Sequence, residues 1–237
     1  MEPLRRYGKL YLIIIAAFTA LALMAAAYTQ RTTSVSAPGG GMHIWIDPGH
    51  GGEDGGALAP CGRRESEYNL EISLRLRDLL RLCGMRISMT READCALYDR
   101  DCATISQKKA SDLRCRAQMI RRTPEAIVLS IHLNHFPEAK YRGAQCFYNG
   151  AEGSKALAEA MQNAVRCGLD PDNHRGVKSA GGIYLMEHIP NTAVLIECGF
   201  LSNPDEESLL RTPAYQRRLC CALCAGLLTY AREETLL

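Results

Sequence analysis

Ala126-Ile127-Val128-Leu129-Ser130-Ile131-His132 is the stretch on which the fold turns. It is almost continuously apolar and rich in β-branched residues. A strand with one wet face would alternate; this one reads as buried on both faces, the habit of parallel sheets. Proline at position 124 closes the segment before it, and Ala110 to Arg122 carries a helical pattern. Further upstream, Met85 to Thr90 alternates as a strand. Ser66 to Cys83 places Leu70, Leu74, Leu79 and Leu80 between charges at helical spacing, and Gly84 stops it. His43 to Asp47 is a short apolar run that ends in Pro-Gly, a strand entering a loop. Downstream, strands are expected at 144–148, 183–186 and 193–197, and helices at 153–167 and 213–232, the last with proline in its first turn. Residues 92–109 read as a long irregular loop; Cys95 to Lys109 would be the place for a regulatory insertion or lid, with a plain loop the safer reading. Strands alternating with helices predict an α/β domain: a single twisted, mostly parallel six-stranded sheet with helices on both faces.

A hydrophobic helix is expected ahead of that domain. Residues 10–28 are uncharged and apolar, and Arg5, Arg6 and Lys9 precede them. The segment 1–28 is a signal sequence or a membrane anchor; its length fits the short end of a span, and Ala25 to Ala27 would suit cleavage. Residues 29–42, with three consecutive glycines, read as a flexible linker, leaving 43–237 as the catalytic domain. Either reading of the leader faces that domain outward, to an extracytoplasmic location. The net charge is +2, and the leader carries all of it, so the rest is formally neutral. No basic patch argues for a nucleic-acid partner. Eleven scattered cysteines show no paired CxxC motifs of a structural zinc site and read as small buried hydrophobes.

Chemistry concentrates in four segments. Asp47-Pro48-Gly49-His50-Gly51-Gly52 ends the first strand, and its glycines permit close backbone approach. Glu65 precedes the helix that holds Asn69. Ser130-Ile131-His132-Leu133-Asn134 ends a central strand, and Ile196-Glu197-Cys198-Gly199-Phe200 ends another. Open α/β sheets carry their sites at such strand ends. Two histidines and two glutamates there can make a hydrolytic zinc centre, with three protein ligands and a fourth position for water. Zinc acidifies that water and polarises a carbonyl, while a neighbouring carboxylate moves the proton. Composition leaves open which residue serves as the base, and the spacing by itself also suits separate polar residues at strand ends.

DPGHGG, then Glu65-x-x-x-Asn69-Leu70, then SIHLN, then VLIECGFLSN resembles, in content and order, the zinc-dependent N-acetylmuramoyl-L-alanine amidase family of the Amidase_3 type, from about Ile44 to Tyr230. Arg142 to Gly150 and Tyr184 to His188 are similar to its germination-specific, spore-cortex branch. The resemblance implies that His50, Glu65 and His132 bind Zn2+ and that Glu197 is the catalytic carboxylate. It implies a peptidoglycan substrate and a role in muramic-lactam formation, and it leaves room for an activating protein partner and for membrane attachment through the N-terminal segment. Glu67 competes with Glu65 as ligand or caps the helix; Asp47 and Asn134 are candidates for orienting a ligand imidazole or a loop, and equally suit turn-forming roles. Arg116 holds a carboxylate or covers a solvated face. His135 and Cys198 depart from the family's usual residues without touching a proposed ligand. His43, His174 and His188 lack motif context. The rival readings are another exported zinc peptidase acting on wall peptides and a non-catalytic wall-binding protein.

Overall fold

The computed structural model describes Thr19 and residues 41–235. Apart from Thr19, the apolar segment 10–28 and nearly all of the linker fall outside the described residues. Among the described residues, no helix is long and apolar enough to cross a membrane.

The compact unit that begins at Pro38 is a six-stranded sheet with helices on both faces. Its strands are β1 (His43–Pro48), β2 (Arg86–Met89), β3 (Ile127–Asn134), β4 (Gln145–Tyr148), β5 (Lys178–Ser179) and β6 (Ala193–Phe200). Its helices are α1 (Glu65–Leu82), α2 (Ile105–Arg121), α3 (Ser154–Leu169), α4 (Tyr184–Glu187), α5 (Pro204–Leu210) and α6 (Pro213–Thr235). The sheet order is β2-β1-β3-β6-β4-β5. All pairings are parallel except β4 with β6, so the sheet is mixed, with one antiparallel seam.

β1 and β3 lie in the interior because both their faces are apolar. Ile44, Ile46, Leu129 and Ile131 point into one core with α1, α3 and α6. Trp45, Val128 and Leu195 point into the other, with Ala117 and Ile120 of α2 and Leu185 and Met186 of α4. Each such side chain stabilises the fold by roughly 1.5–3 kcal/mol relative to exposure. Strand period two then decides the site. In the register Asp47↔Ser130 and His132↔Glu197, residues 47, 130, 132 and 197 share the α2 face. A bulge after His132 ends the regular β3–β6 pairing at that point.

Three expectations need correction. Ile183–Met186 is no strand: Tyr184–Glu187 forms helix α4, and the sixth strand is instead Lys178–Ser179 at the sheet edge. A four-residue apolar run cannot tell strand from helix by period. Here Leu185 and Met186 are the buried residues of α4, and the Glu187 carboxylate accepts from the Gly182 N–H at 2.6 Å, closing the turn. Helix α2 begins at Ile105 rather than Ala110. Thr104 Oγ1 accepts from Gln107 N, and Gln107 Oε1 accepts from Thr104 N, a capping box that shortens the loop after β2. Helix α5, capped by Asn203 with Pro204 at its start, was not anticipated.

Candidate metal centre

The loop that follows β1 presents His50 from a left-handed backbone, φ 60°. Such a conformation costs of order 1 kcal/mol in a non-glycine residue and persists only where the surroundings impose it. Two buried arginines impose it. Arg116 donates to the Pro48 carbonyl at 2.8 Å and to the His50 carbonyl at 2.7 Å. Arg91 donates to the Pro48 and Gly49 carbonyls, each at 3.0 Å. Arg116, 2% exposed, is neutralised by Asp47 at 2.8 Å and Asp112 at 2.6 Å, so it holds carboxylates and is no solvated face. Burial disfavours its charge, but those two carboxylates outweigh burial and raise its pKa. Asp47 also accepts from Thr90 and Ser130. It thus steadies the loop through Arg116 and orients no imidazole. Asn134 pairs with Phe200 of β6, and its carbonyl accepts from Leu201 N at 2.8 Å.

Glu65 is the first residue of α1, its side chain nearly enclosed. Backbone N–H groups of Ala57 (3.0 Å) and Leu133 (3.2 Å) and the amide of Asn69 (3.2 Å), one helical turn on, all donate to its carboxylate. Glu67 points elsewhere, accepting from Arg64 N at the start of α1. His50 Nε2 lies 3.3 Å from Glu65 Oε2, and His132 Nδ1 lies 3.1 Å from Glu65 Oε1. The two imidazoles meet edge to face, ring centres 5.1 Å apart. One donor atom from each of His50, Glu65 and His132 can be chosen so that all lie within 4.8 Å of one another.

Two glycines make this approach possible. A Cβ on Gly49 would lie 2.2 Å from the His132 ring. A Cβ on Gly56, at φ 68°, would lie 2.5 Å from Glu65 Oε2 and 2.8 Å from the His50 ring. Asp54 accepts from His50 Nδ1 at 2.9 Å, leaving Nε2 to face Glu65. Burial opposes a charge on His50, yet its hydrogen bonds to Asp54 and Glu65 prevail and raise its pKa to about 9. Burial likewise opposes the Glu65 charge, but His132 and His50 hold the carboxyl well below the usual carboxylate range. The proton between His50 and Glu65 is the one a cation would replace. The donor set suits zinc. Tetrahedral ligands about 2.0–2.1 Å from the ion stand about 3.4 Å from one another, close to the 3.3 and 3.1 Å found.

Glu197 lies beside His132 on the next strand, on the same sheet face. Its Oε2 is buried and makes no hydrogen bond among the described residues. Burial raises its pKa to about 7; the charges of His132 and His50 oppose this, and that of Glu65 adds to it. A carboxyl poised there can accept a proton from water and return it to a leaving group. Beside the ligands lies a cleft of about 150 Å³, walled by α2 and α4 and lined by His50, His132, Lys109, Leu113 and Tyr184 among others.

The remaining histidines stay apart from the cluster. His43 Nε2 bonds Ser88 Oγ at 2.9 Å, His135 and His174 are exposed, and His188 stacks on Tyr184. The sequence reading missed Asp54, Arg91 and Lys109. Asp54 stands four residues after His50 in the same glycine-rich loop, a carboxylate within easy reach of that imidazole. Arg91 carried no local signal. No disulfide forms among the described residues, though Cys83 and Cys224 Sγ stand 3.7 Å apart.

A histidine–carboxylate–histidine cluster at the carboxyl rim of an α/β sheet, with a free buried carboxylate beside it, is the equipment of a metal-dependent hydrolase. Residues 44–229 match the family model of the N-acetylmuramoyl-L-alanine amidases, Amidase_3. The chain belongs to that family. It is 41% identical over 202 residues to the germination-specific N-acetylmuramoyl-L-alanine amidase of Bacillus subtilis, covering 84% of each. It is also similar to the CwlD amidase of Clostridioides difficile, solved in complex with the GerS lipoprotein: TM-score 0.78 and 38% identity, over 81% of this chain and 99% of that one. The AmiA amidase of Escherichia coli is 27% identical, covering 81% of this chain and 77% of that protein. The activity is that of the family, hydrolysis of the amide between N-acetylmuramic acid and L-alanine.

Proposed function

We propose that this amidase is zinc-dependent, with His50, Glu65 and His132 as the metal ligands and Glu197 as the catalytic carboxylate. The observation that carries the proposal is the convergence of three donors within 4.8 Å, beside a buried carboxylate oxygen that has no hydrogen-bond partner among the described residues. Zinc bound there supplies an electrophile for the scissile carbonyl and an acidified water. Glu197 takes the proton of the attacking water and delivers it to the nitrogen of the departing L-alanine. Burial raises its pKa, which favours its holding a proton between the two halves of that transfer. Asp54 fixes the His50 ring so that Nε2 faces inward, and the Arg91–Arg116 pair fixes the loop that bears it.

The substrate is peptidoglycan outside the cytoplasm, reached through export by residues 1–28, which serve as a signal or as an anchor. Residues 29–42 act as the tether and 43–237 as the catalytic domain. Likeness to the germination-specific relative supports a role in the spore cortex, in muramic-lactam formation. The lipoprotein complex of the C. difficile relative supports an activating protein partner. The test is digestion of purified peptidoglycan by the full chain, with and without a zinc chelator, read by mass spectrometry. Peptides beginning with an intact L-alanine must appear, must vanish on chelation and must return with zinc. Cleavage within the peptide, or chelator-resistant release, would overturn the proposal.

A further inference from the structure

Helix α4 carries a feature that the hydrolytic chemistry leaves unused. Tyr184 opens this helix and is half-buried, lining the same cleft as His50 and His132. Its ring stacks on that of His188, with centres 3.8 Å apart and planes 12° apart. His188 is fixed in turn, its Nδ1 donating to the Tyr184 carbonyl at 2.8 Å. Below, Leu185 and Met186 are buried among Trp45, Ile120 and Leu195, so the helix cannot tilt without opening that core. The Tyr184 hydroxyl makes no hydrogen bond among the described residues. A half-buried aromatic ring, stacked on one side and with its hydroxyl left to solvent or ligand, is apolar on its body and polar at its tip. It shares its cleft with two of the proposed metal ligands. A pyranose has the complementary character, apolar C–H groups on its face and hydroxyls at its edge.

We infer that Tyr184 is a substrate-binding residue that stacks against the muramic acid ring, braced by His188, and so holds the sugar in the cleft beside the metal centre. The inference rests on the amidase reading and names the sugar-binding element of that site. Stacking acts on the ground state and transition state alike, so it moves KM and leaves kcat nearly unchanged.

The test compares N-acetylmuramoyl-L-alanyl-D-isoglutamine with lactyl-L-alanyl-D-isoglutamine, which keeps the scissile amide but lacks the sugar. Full-length wild type, Tyr184→Ala, Tyr184→Phe and His188→Ala are assayed with zinc content measured for each. Tyr184→Ala is expected to raise KM for the sugar-bearing substrate about tenfold, the equivalent of about 1.4 kcal/mol, with kcat within about twofold. Tyr184→Phe should stay near wild type, and His188→Ala should raise KM about threefold. On the sugarless substrate, Tyr184→Ala and wild type should match. Equal losses on both substrates, a fall in kcat or zinc content alone, or a Tyr184→Phe defect as large as that of Tyr184→Ala would each overturn the inference. If wild type cleaves neither small compound, the amidase reading is judged on peptidoglycan itself. Saturation-transfer NMR with the sugar-bearing compound then decides the stacking: weaker transfer in Tyr184→Ala sustains it, and unchanged transfer refutes it.

Discussion

Replacing Gly49 by alanine perturbs the candidate centre with little direct effect on the fold. Gly49 is not among the glycines with left-handed backbone, so alanine can adopt its conformation. The new Cβ would lie 2.2, 2.3 and 2.6 Å from three atoms of the His132 imidazole. To restore an ordinary contact of 3.4 Å, the ring must retreat by about 1.2 Å. Metal–ligand distances tolerate only about 0.2 Å, so His132 would cease to be a ligand. Loss of a supporting residue around a metal site weakens binding about 10–100-fold. Loss of a ligand should exceed that range, giving at least about a 100-fold weaker zinc affinity, or about 2.8 kcal/mol. A competition titration against a chromophoric chelator measures the affinity. Thermal melting in excess chelator checks the fold, and the midpoint should lie close to that of wild type. A Gly49→Ala protein that binds zinc within about threefold of wild type would refute the placement of His132 in the centre.

Other outcomes follow from the same geometry. Glu197→Gln should retain zinc while activity falls about 10²–10⁴-fold; loss of zinc in step with activity would make Glu197 a ligand instead. In protein stripped of metal, the His50 pKa is raised from 6.5 to about 9. Stability from this group is therefore complete below about pH 6.5 and is lost as pH rises through about 9, amounting to about 3 kcal/mol. Melting in chelator should accordingly fall between pH 7 and 10, and a His50→Gln variant should lack that component; equal slopes would contradict it. Zinc binding near pH 7 must also displace that proton, so calorimetry in buffers of different ionisation enthalpy should show proton release. Arg116→Met leaves the buried Asp47 charge unpaired and should cost about 3–5 kcal/mol in urea unfolding. Adding Asp47→Asn should recover part of that loss, and strictly additive losses would argue against the pair.

The apolar runs of β1, β3 and β6 were legible because burial on both faces leaves no polar alternation to confuse them. Their ends identified His50, His132 and Glu197 as candidates at one rim. Convergence with Glu65 was not legible from spacing, since β1, α1 and β3 meet only through tertiary packing; motif order supplied that reading. The Thr104–Gln107 capping box and the Asn203-Pro204 helix start were written in the sequence and went unread. The edge strand Lys178–Ser179 could not be read, because two exposed residues carry no period. Arg91 shows why polar support is hard to foresee. Its partners are backbone carbonyls, which have no sequence signature, whereas Arg116 was legible as a candidate holder of carboxylates.

The most direct measurement is a crystal structure of the full chain with zinc, with anomalous data collected at the zinc edge. The account predicts one strong anomalous peak, about 2.0–2.2 Å from one nitrogen of each of His50 and His132 and from a Glu65 oxygen, with Glu197 near the ion but not bonded to it. A peak at another cluster, or zinc coordinated by Glu197 in place of Glu65, would contradict it.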